Sequence, residues 1–238
     1  MTARAYQKLL QNWLAAVAIL FVGFASAATA NTAPASDEIE TESDLREYVA
    51  FHTDRMVGRL DELRKSYQED PEDFYRTMEE ELTDFVDFRR IAARVMARYA
   101  RQATPEQRDA FVEKFKRSLF ETYSKALSNT EDFRISVDSA RFISDAKDRA
   151  SVALTITSEA GQKYGVTYSL FEDSEGRWMM ENVVVEGVNI GLAFRDRFQQ
   201  DMEKRRGDIQ AVIANWSGEV EGLEEKADAQ GQGSDGGE

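Results

Sequence analysis

Apolar residues in the first half of the chain recur at three- and four-residue steps. Leu45, Val49, His52, Met56, Leu60, Leu63 and Tyr67 make one stripe, which predicts a helix from about Glu42 to Gln68. Asp70-Pro71 ends that helix and opens the next, since aspartate can cap free amides and proline at the first helical position has no amide to leave unpaired. The second helix carries Phe74, Met78 and Leu82, and a third, beyond a break at Asp84–Phe88, carries Ile91, Val95 and Tyr99. Thr104-Pro105-Glu106-Gln107 is a further helix start with Gln107 at the capping-box position. The stripe behind it is Phe111, Phe115, Leu119, Tyr123 and Ala126, widened by Phe120 and Leu127.

The period then changes from 3.6 to 2. Phe133, Ile135 and Val137 alternate with polar residues, as do Val152, Leu154 and Ile156, and then Val166, Tyr168 and Leu170. Glu159-Ala160-Gly161 and Asp173-Ser174-Glu175-Gly176 read as the intervening turns, and Trp178 to Val188 as a last strand. Strands of this kind form an antiparallel sheet with one buried face. A closing helix from about Ile190 carries Phe194, Phe198, Met202, Ile209, Val212, Ile213 and Trp216, broken or bent at Gly207. Helices ahead of a meander give the α+β class, a helical layer packed on an antiparallel meander sheet.

Both ends lack this patterning. Arg4 and Lys8 precede thirteen uncharged residues, Trp13 to Ala25, followed by Ala25-Ser26-Ala27 and Ala28-Thr29-Ala30. A helix of that length covers about 20 Å, short of the ~30 Å hydrocarbon core. The pattern predicts a cleavable signal peptide over residues 1–30, with cleavage near Ala27 or Ala30, and no later run is long enough to span a membrane. A polar leader (31–38), a single domain (39–216) and an acidic Gly/Gln-rich tail expected to be disordered (217–238) follow.

Charge narrows the partners. Removal of residues 1–30 takes away two basic residues and no acidic one, so the formal charge moves from −14 to −16. That argues against nucleic acid as a partner and against adsorption to anionic lipid. With no cysteine in the chain, disulfides and thiolate metal sites are excluded.

Catalytic chemistry finds little support. Gly231, Gly233 and Gly236 spell GxGxxG within the tail, where neither strand nor helix accompanies it. His52 is the only histidine and lies within an apolar stripe, where a packed helix residue is the simple reading and a general base the alternative. Glu79-Glu80-Glu81 and the run from Glu219 to Glu225 read as solvated surface, and Asp84 and Asp87 as helix caps. What stands out is the apolar inventory, fourteen phenylalanines and eight tyrosines in so acidic a chain. This fits either a well-packed core or helix and sheet faces that leave an apolar cavity between them.

Three stretches resemble the MlaC family of periplasmic phospholipid carriers, also called toluene-tolerance auxiliary proteins. Asp87 with Phe88-Arg89-Arg90-Ile91-Ala92-Ala93-Arg94-Val95-Met96 resembles the family's "DF…IA…VLG" helix. Ala103-Thr104-Pro105-Glu106-Gln107-Arg108, with Phe111, Phe115, Leu119, Tyr123 and Ala126-Leu127, is similar to its "ATPEQR…F…F…L…TY…AL" helix. Trp178, then Val183-Val184-Val185-Glu186-Gly187-Val188-Asn189-Ile190 with Phe194-Arg195 and Phe198, is similar to "W…DVVIEGVSL…YRSQF". The sequence departs at Ala97, where the family usually has Gly, at Asn182 and Asn189, where Asp and Ser are common, and at Phe194, which replaces Tyr.

The resemblance implies an NTF2-like cone in which helices on an antiparallel sheet enclose an apolar cavity for phospholipid acyl chains. It implies a soluble periplasmic carrier, a monomer that makes and breaks no bond. Such a carrier needs no cofactor or metal and shuttles phospholipid between an outer-membrane lipoprotein complex and an inner-membrane ABC transporter with a periplasmic lipid-binding subunit. The residues expected to bind lipid are Val95, Tyr99, Phe115, Leu119, Tyr123, Val152, Leu154, Val166, Tyr168, Leu170, Val183 and Val185, with no catalytic residue. Two alternatives stand beside it: a periplasmic small-molecule enzyme on a similar cone, using His52, Asp84 or Asp87, and an adaptor that binds proteins without lipid.

Overall fold

The computed structural model describes residues 39–59, 66, 67, 69–128 and 133–218, with the backbone alone for 56, 57 and 123–128. The expected signal segment, the polar leader and the tail from residue 219 lie outside the described residues.

Helix α1 spans Glu42–Gly58. It starts with a reciprocal cap, in which the Asp44 amide donates to Thr41 Oγ1 at 3.2 Å and the Thr41 amide to Asp44 Oδ2 at 2.8 Å. This satisfies two amides that have no partner within the helix. Leu45, Tyr48, Val49 and His52 form its buried stripe. The helix is shorter than the Glu42–Gln68 expected. It closes at Gly58, a poor helix former; Leu60 and Leu63, which would have extended the stripe, lie outside the described residues.

Helix α2, Pro71–Thr83, starts as the sequence predicts, with the Asp70 carboxylate accepting from the Glu72 and Asp73 amides and Phe74, Met78 and Leu82 buried. The Asp84–Asp87 segment then adds a strand-like rung to the sheet. The Met180 amide donates to the Phe85 carbonyl at 2.7 Å, and the Asp87 amide to the Met180 carbonyl at 3.1 Å. Asp87 caps α3 (Phe88–Met96) by accepting from the Arg90 amide. A 3-10 turn, Ala97–Arg101, leads to α4, Pro105–Ser128. The capping box predicted there is present, with the Thr104 amide on Gln107 Oε1 at 3.0 Å and the Gln107 amide on Thr104 Oγ1 at 3.2 Å.

Among the described residues the five strands are β1 (Phe133–Phe142), β2 (Arg149–Ser158), β3 (Lys163–Glu172), β4 (Trp178–Val185) and β5 (Val188–Asn189), paired in that order and all antiparallel. The long last strand expected from Trp178 to Val188 is instead folded back on itself at Glu186-Gly187. Both residues have positive φ, 47° and 80°, which suits the tight hairpin turn that matches strand twist. The closing helical region is likewise two helices, α5 (Ile190–Lys204) and α6 (Ile209–Ala214). At the break, Arg206 and Gly207 take positive φ and the Gly207 amide reaches back to the Met202 carbonyl at 2.8 Å, a glycine-assisted helix end.

Helix α1 packs on β1, while α3 and α5 pack on each other and on β4, and α4 joins α3 and α6. One apolar core links all of these elements. At roughly 1.5–3 kcal/mol per buried large apolar side chain, it is the main force holding helices to sheet. The fold is α+β, helices on an open antiparallel meander.

Candidate functional site

The strand register turns sequence alternation into rows on one face of the sheet. Val152 of β2 lies opposite Tyr168 of β3, and Tyr168 opposite Val183 of β4; Leu154, Val166 and Val185 form the next row, and Ala150, Leu170 and Met180 a third. The seven sheet residues singled out from sequence therefore share one face, each 6% exposed or less. The row offers no charged group. Tyr168 is its most polar member, and burial pushes its phenol up, keeping it neutral.

The helical residues gather differently. Tyr99 packs on Phe198, and Phe115 on Phe111, Phe194 and Trp216, with ring centroids 5.3–6.2 Å apart. Phe111, Phe198 and Trp216 complete this aromatic cluster. Val95 is buried and Leu119 half-buried against the same core; the Tyr123 side chain lies outside the described residues. Periodicity pointed to these helix faces, but could not separate the aromatic cluster from the sheet rows.

A cavity of about 220 Å³ lies on the seam between α1 and β1, lined by Arg46, Glu47, Ala50, Thr53, Asp54, Ile135 and Val137. Ile135 and Val137 continue the apolar rows, opposite Ile156 and Leu154. They are half-buried where those partners are 2% exposed. At the seam the apolar sheet face thus approaches solvent. At this volume it falls below the ~300–1,000 Å³ of ordinary small-molecule pockets. Asp54 stands at its rim, and burial raises its carboxyl above the usual range. The sequence marked Ile135 and Val137 as strand residues. Their place at the seam depends on where α1 lies, which strand alternation does not encode.

The residues offered for catalysis are occupied by structural roles. His52 is 5% exposed, stacked 4.9 Å from Phe85 with edge contacts to Tyr48 at 4.5 Å and Phe51 at 5.4 Å. Desolvation, helped by Arg55 and opposed by Asp84, lowers its pKa to about 4. Asp87 caps α3, and the exposed Asp84 faces Arg55 at 3.5 Å. The triple-glutamate run is not all solvated surface as expected. Glu81 is held against α1 by Arg55 at 3.1 Å and also by Arg59. Among the described residues no three His, Cys, Asp or Glu side chains come together as metal ligands do.

The sheet-to-helix junction keeps its polar contacts through the residue changes noted above. Asn189 Oδ1 accepts from the Leu192 amide at 2.9 Å, and Asn182 Oδ1 from the Gly191 amide at 3.1 Å. The two amide oxygens thus satisfy consecutive free donors of α5. Phe194, without a hydroxyl, simply packs among the aromatic rings.

The chain is similar to known proteins over most of its length. The family described as MlaC protein matches residues 52–218. The toluene tolerance protein ttg2D of Pseudomonas putida is 38% identical over 177 residues, covering 74% of this chain and 81% of that protein. A phospholipid-binding protein from Ralstonia solanacearum, solved in complex with a phospholipid, superposes with a TM-score of 0.53 at 21% identity, over 72% of this chain and 93% of its own.

Proposed function

Since the chain belongs to the MlaC protein family, we propose that it is a periplasmic phospholipid carrier that holds acyl chains on the apolar sheet face. The observation carrying this reading is the uninterrupted set of apolar rows across β2, β3 and β4, which approaches solvent at the α1–β1 seam. Each methylene taken from water is worth about 0.8 kcal/mol, so acyl chains cross an aqueous gap only inside an apolar enclosure of this kind. The rows are packed against α1 and the other helices, and the seam cavity is small. Loading therefore requires α1 to move off β1, and Val152, Leu154, Val166, Tyr168, Leu170, Val183 and Val185 then become the wall. Val95, Tyr99, Phe115 and Leu119 belong to the same apolar core on the helical side.

In this reading the protein is a non-enzymatic monomer without a cofactor. It exchanges lipid with an outer-membrane lipoprotein complex and an inner-membrane ABC transporter bearing a periplasmic lipid-binding subunit. Release depends on partners that bind the loaded and empty forms differently. No helix among the described residues is long and apolar enough to cross a membrane, which suits a shuttle. The enzyme alternative loses ground because His52, Asp84 and Asp87 are committed to packing, pairing and capping.

The test is direct. Protein purified from a membrane-containing host, denatured and extracted into organic solvent, is expected to yield close to one phospholipid per chain by mass spectrometry. No lipid in the extract, together with no uptake from added vesicles, overturns the carrier reading.

A further inference from the structure

Glu181 is 6% exposed and sits where the β3–β4 register shifts. Ser169 faces Asn182 and Leu170 faces Met180, so Glu181 is the extra residue of a bulge. Three arginines converge on its carboxylate: Arg94 at 2.8 Å and Arg149 at 2.9 Å on Oε1, and Arg90 through Nε on Oε2. One buried carboxylate needs one compensating charge. Here it has three, leaving a local excess of two positive charges in a chain of formal charge −14.

The excess is held in place and presented outward. The Arg90 guanidinium lies 3.8 Å over the Phe171 ring, and that of Arg149 5.9 Å from it. Arg149 and Phe171 alternate with Ala150 and Leu170 of the inner rows, so they project from the opposite face of the sheet. The cluster is therefore distinct from the apolar rows. All three arginine side chains remain about a third to a half exposed, and Glu181 is the acceptor that engages them. Each guanidinium has five N–H donors in a rigid fork, of which one is used on Glu181.

The geometry points to a second binding site, in which Arg90, Arg94 and Arg149 around Glu181 take a phosphate monoester. Such a group carries −1.5 to −2 charges at neutral pH and three acceptor oxygens, matching both the excess charge and the number of converging forks. A single carboxylate supplies half the charge and one planar edge. The same terminal phosphate chemistry is offered by free inorganic phosphate and by the monoester headgroup of phosphatidic acid on a membrane.

The full chain is titrated with inorganic phosphate by calorimetry and by phosphorus NMR. It is then floated with phosphatidylcholine vesicles containing either phosphatidic acid or enough phosphatidylglycerol to match the surface charge. Phosphate binding together with preferential flotation on phosphatidic acid, competed by phosphate, supports the site with the membrane as source. Phosphate binding without flotation supports it with free phosphate as source. In either case Arg94→Gln and Arg149→Gln should each weaken binding about tenfold, and Arg94→Lys less. Each variant leaves two arginines on Glu181, and an unchanged circular dichroism spectrum identifies it as folded. No binding of phosphate or phosphatidic acid, equal flotation on both charge-matched vesicles, or binding indifferent to both Gln variants overturns the proposal.

Discussion

Tyr48 of α1 donates its phenolic hydrogen bond to the carbonyl of Trp178 at the start of β4, at 2.9 Å. The contact is buried and links residues 130 positions apart. It ties the helix that covers the seam to the far side of the sheet, next to the Phe142–Trp178 ring contact at 5.8 Å. Tyr48→Phe keeps the ring and removes the bond. It should lower unfolding stability by about 1–2 kcal/mol, because a buried carbonyl loses a donor. If α1 is the moving part, the same variant should exchange labelled phospholipid with vesicles faster than wild type. Unaltered exchange in a measurably destabilised Tyr48→Phe protein would assign the bond to stability alone.

The aromatic surroundings of His52 make the stability of this region depend on pH in a defined sense. The imidazole titrates near its ordinary 6.5 in the unfolded chain and at about 4 in the fold. Between those values the unfolded state binds the extra proton, so stability falls as pH drops from 6.5 and levels off below about 4. At about 1.4 kcal/mol per pKa unit, the loss amounts to about 3 kcal/mol. Urea melts between pH 7 and 4 should show that slope, and His52→Phe, which can keep the stack on Phe85, should remove its part of it. Parallel pH profiles for the two proteins would contradict the assignment.

What the sequence made legible was mostly local. The Thr104–Gln107 capping box and the Asp70–Pro71 helix start involve partners within three residues, so their chemistry is written in adjacent letters. The apolar rows were legible because Val152, Leu154, Val166, Tyr168 and Leu170 follow the pleat. Val183-Val184-Val185-Glu186-Gly187-Val188 misled because a nearly continuous apolar run hides a turn, and glutamate rarely takes positive φ. The Glu181 cluster was out of reach, since its arginines stand 91, 87 and 32 residues away. Nor could the pattern reveal which buried residues form a wall, because burial against a helix and burial against an acyl chain select the same side chains.

Ala97 shows how a departure from a family pattern becomes a measurable cost. It ends α3 with φ 49° and ψ −123°, a region that strongly favours glycine because a Cβ crowds the backbone there. The MlaC family usually has glycine at this point. Ala97→Gly relieves strain of about 1–3 kcal/mol and gives back part of it through the freer unfolded chain. A net gain of about 1 kcal/mol in chemical denaturation is expected. A loss of stability would mean that the surrounding helices hold this geometry without strain.

The seam itself offers the sharpest separation of carrier function from folding. Ile135 and Val137 border the cavity between α1 and β1 and are only half-buried, so a larger side chain can grow into existing space rather than into packed core. Val137→Trp should therefore change stability by less than about 1.5 kcal/mol while blocking the gap through which acyl chains would pass between helix and strand. Phospholipid recovered per chain is expected to fall by more than half, with the circular dichroism spectrum unchanged. Val152→Trp, buried in the middle of the rows and 0% exposed, is the contrasting variant: it should destabilise by about 1–3 kcal/mol through overpacking. If Val137→Trp retains a full complement of lipid, acyl chains reach the sheet face by another route, and the α1–β1 seam is only a surface depression.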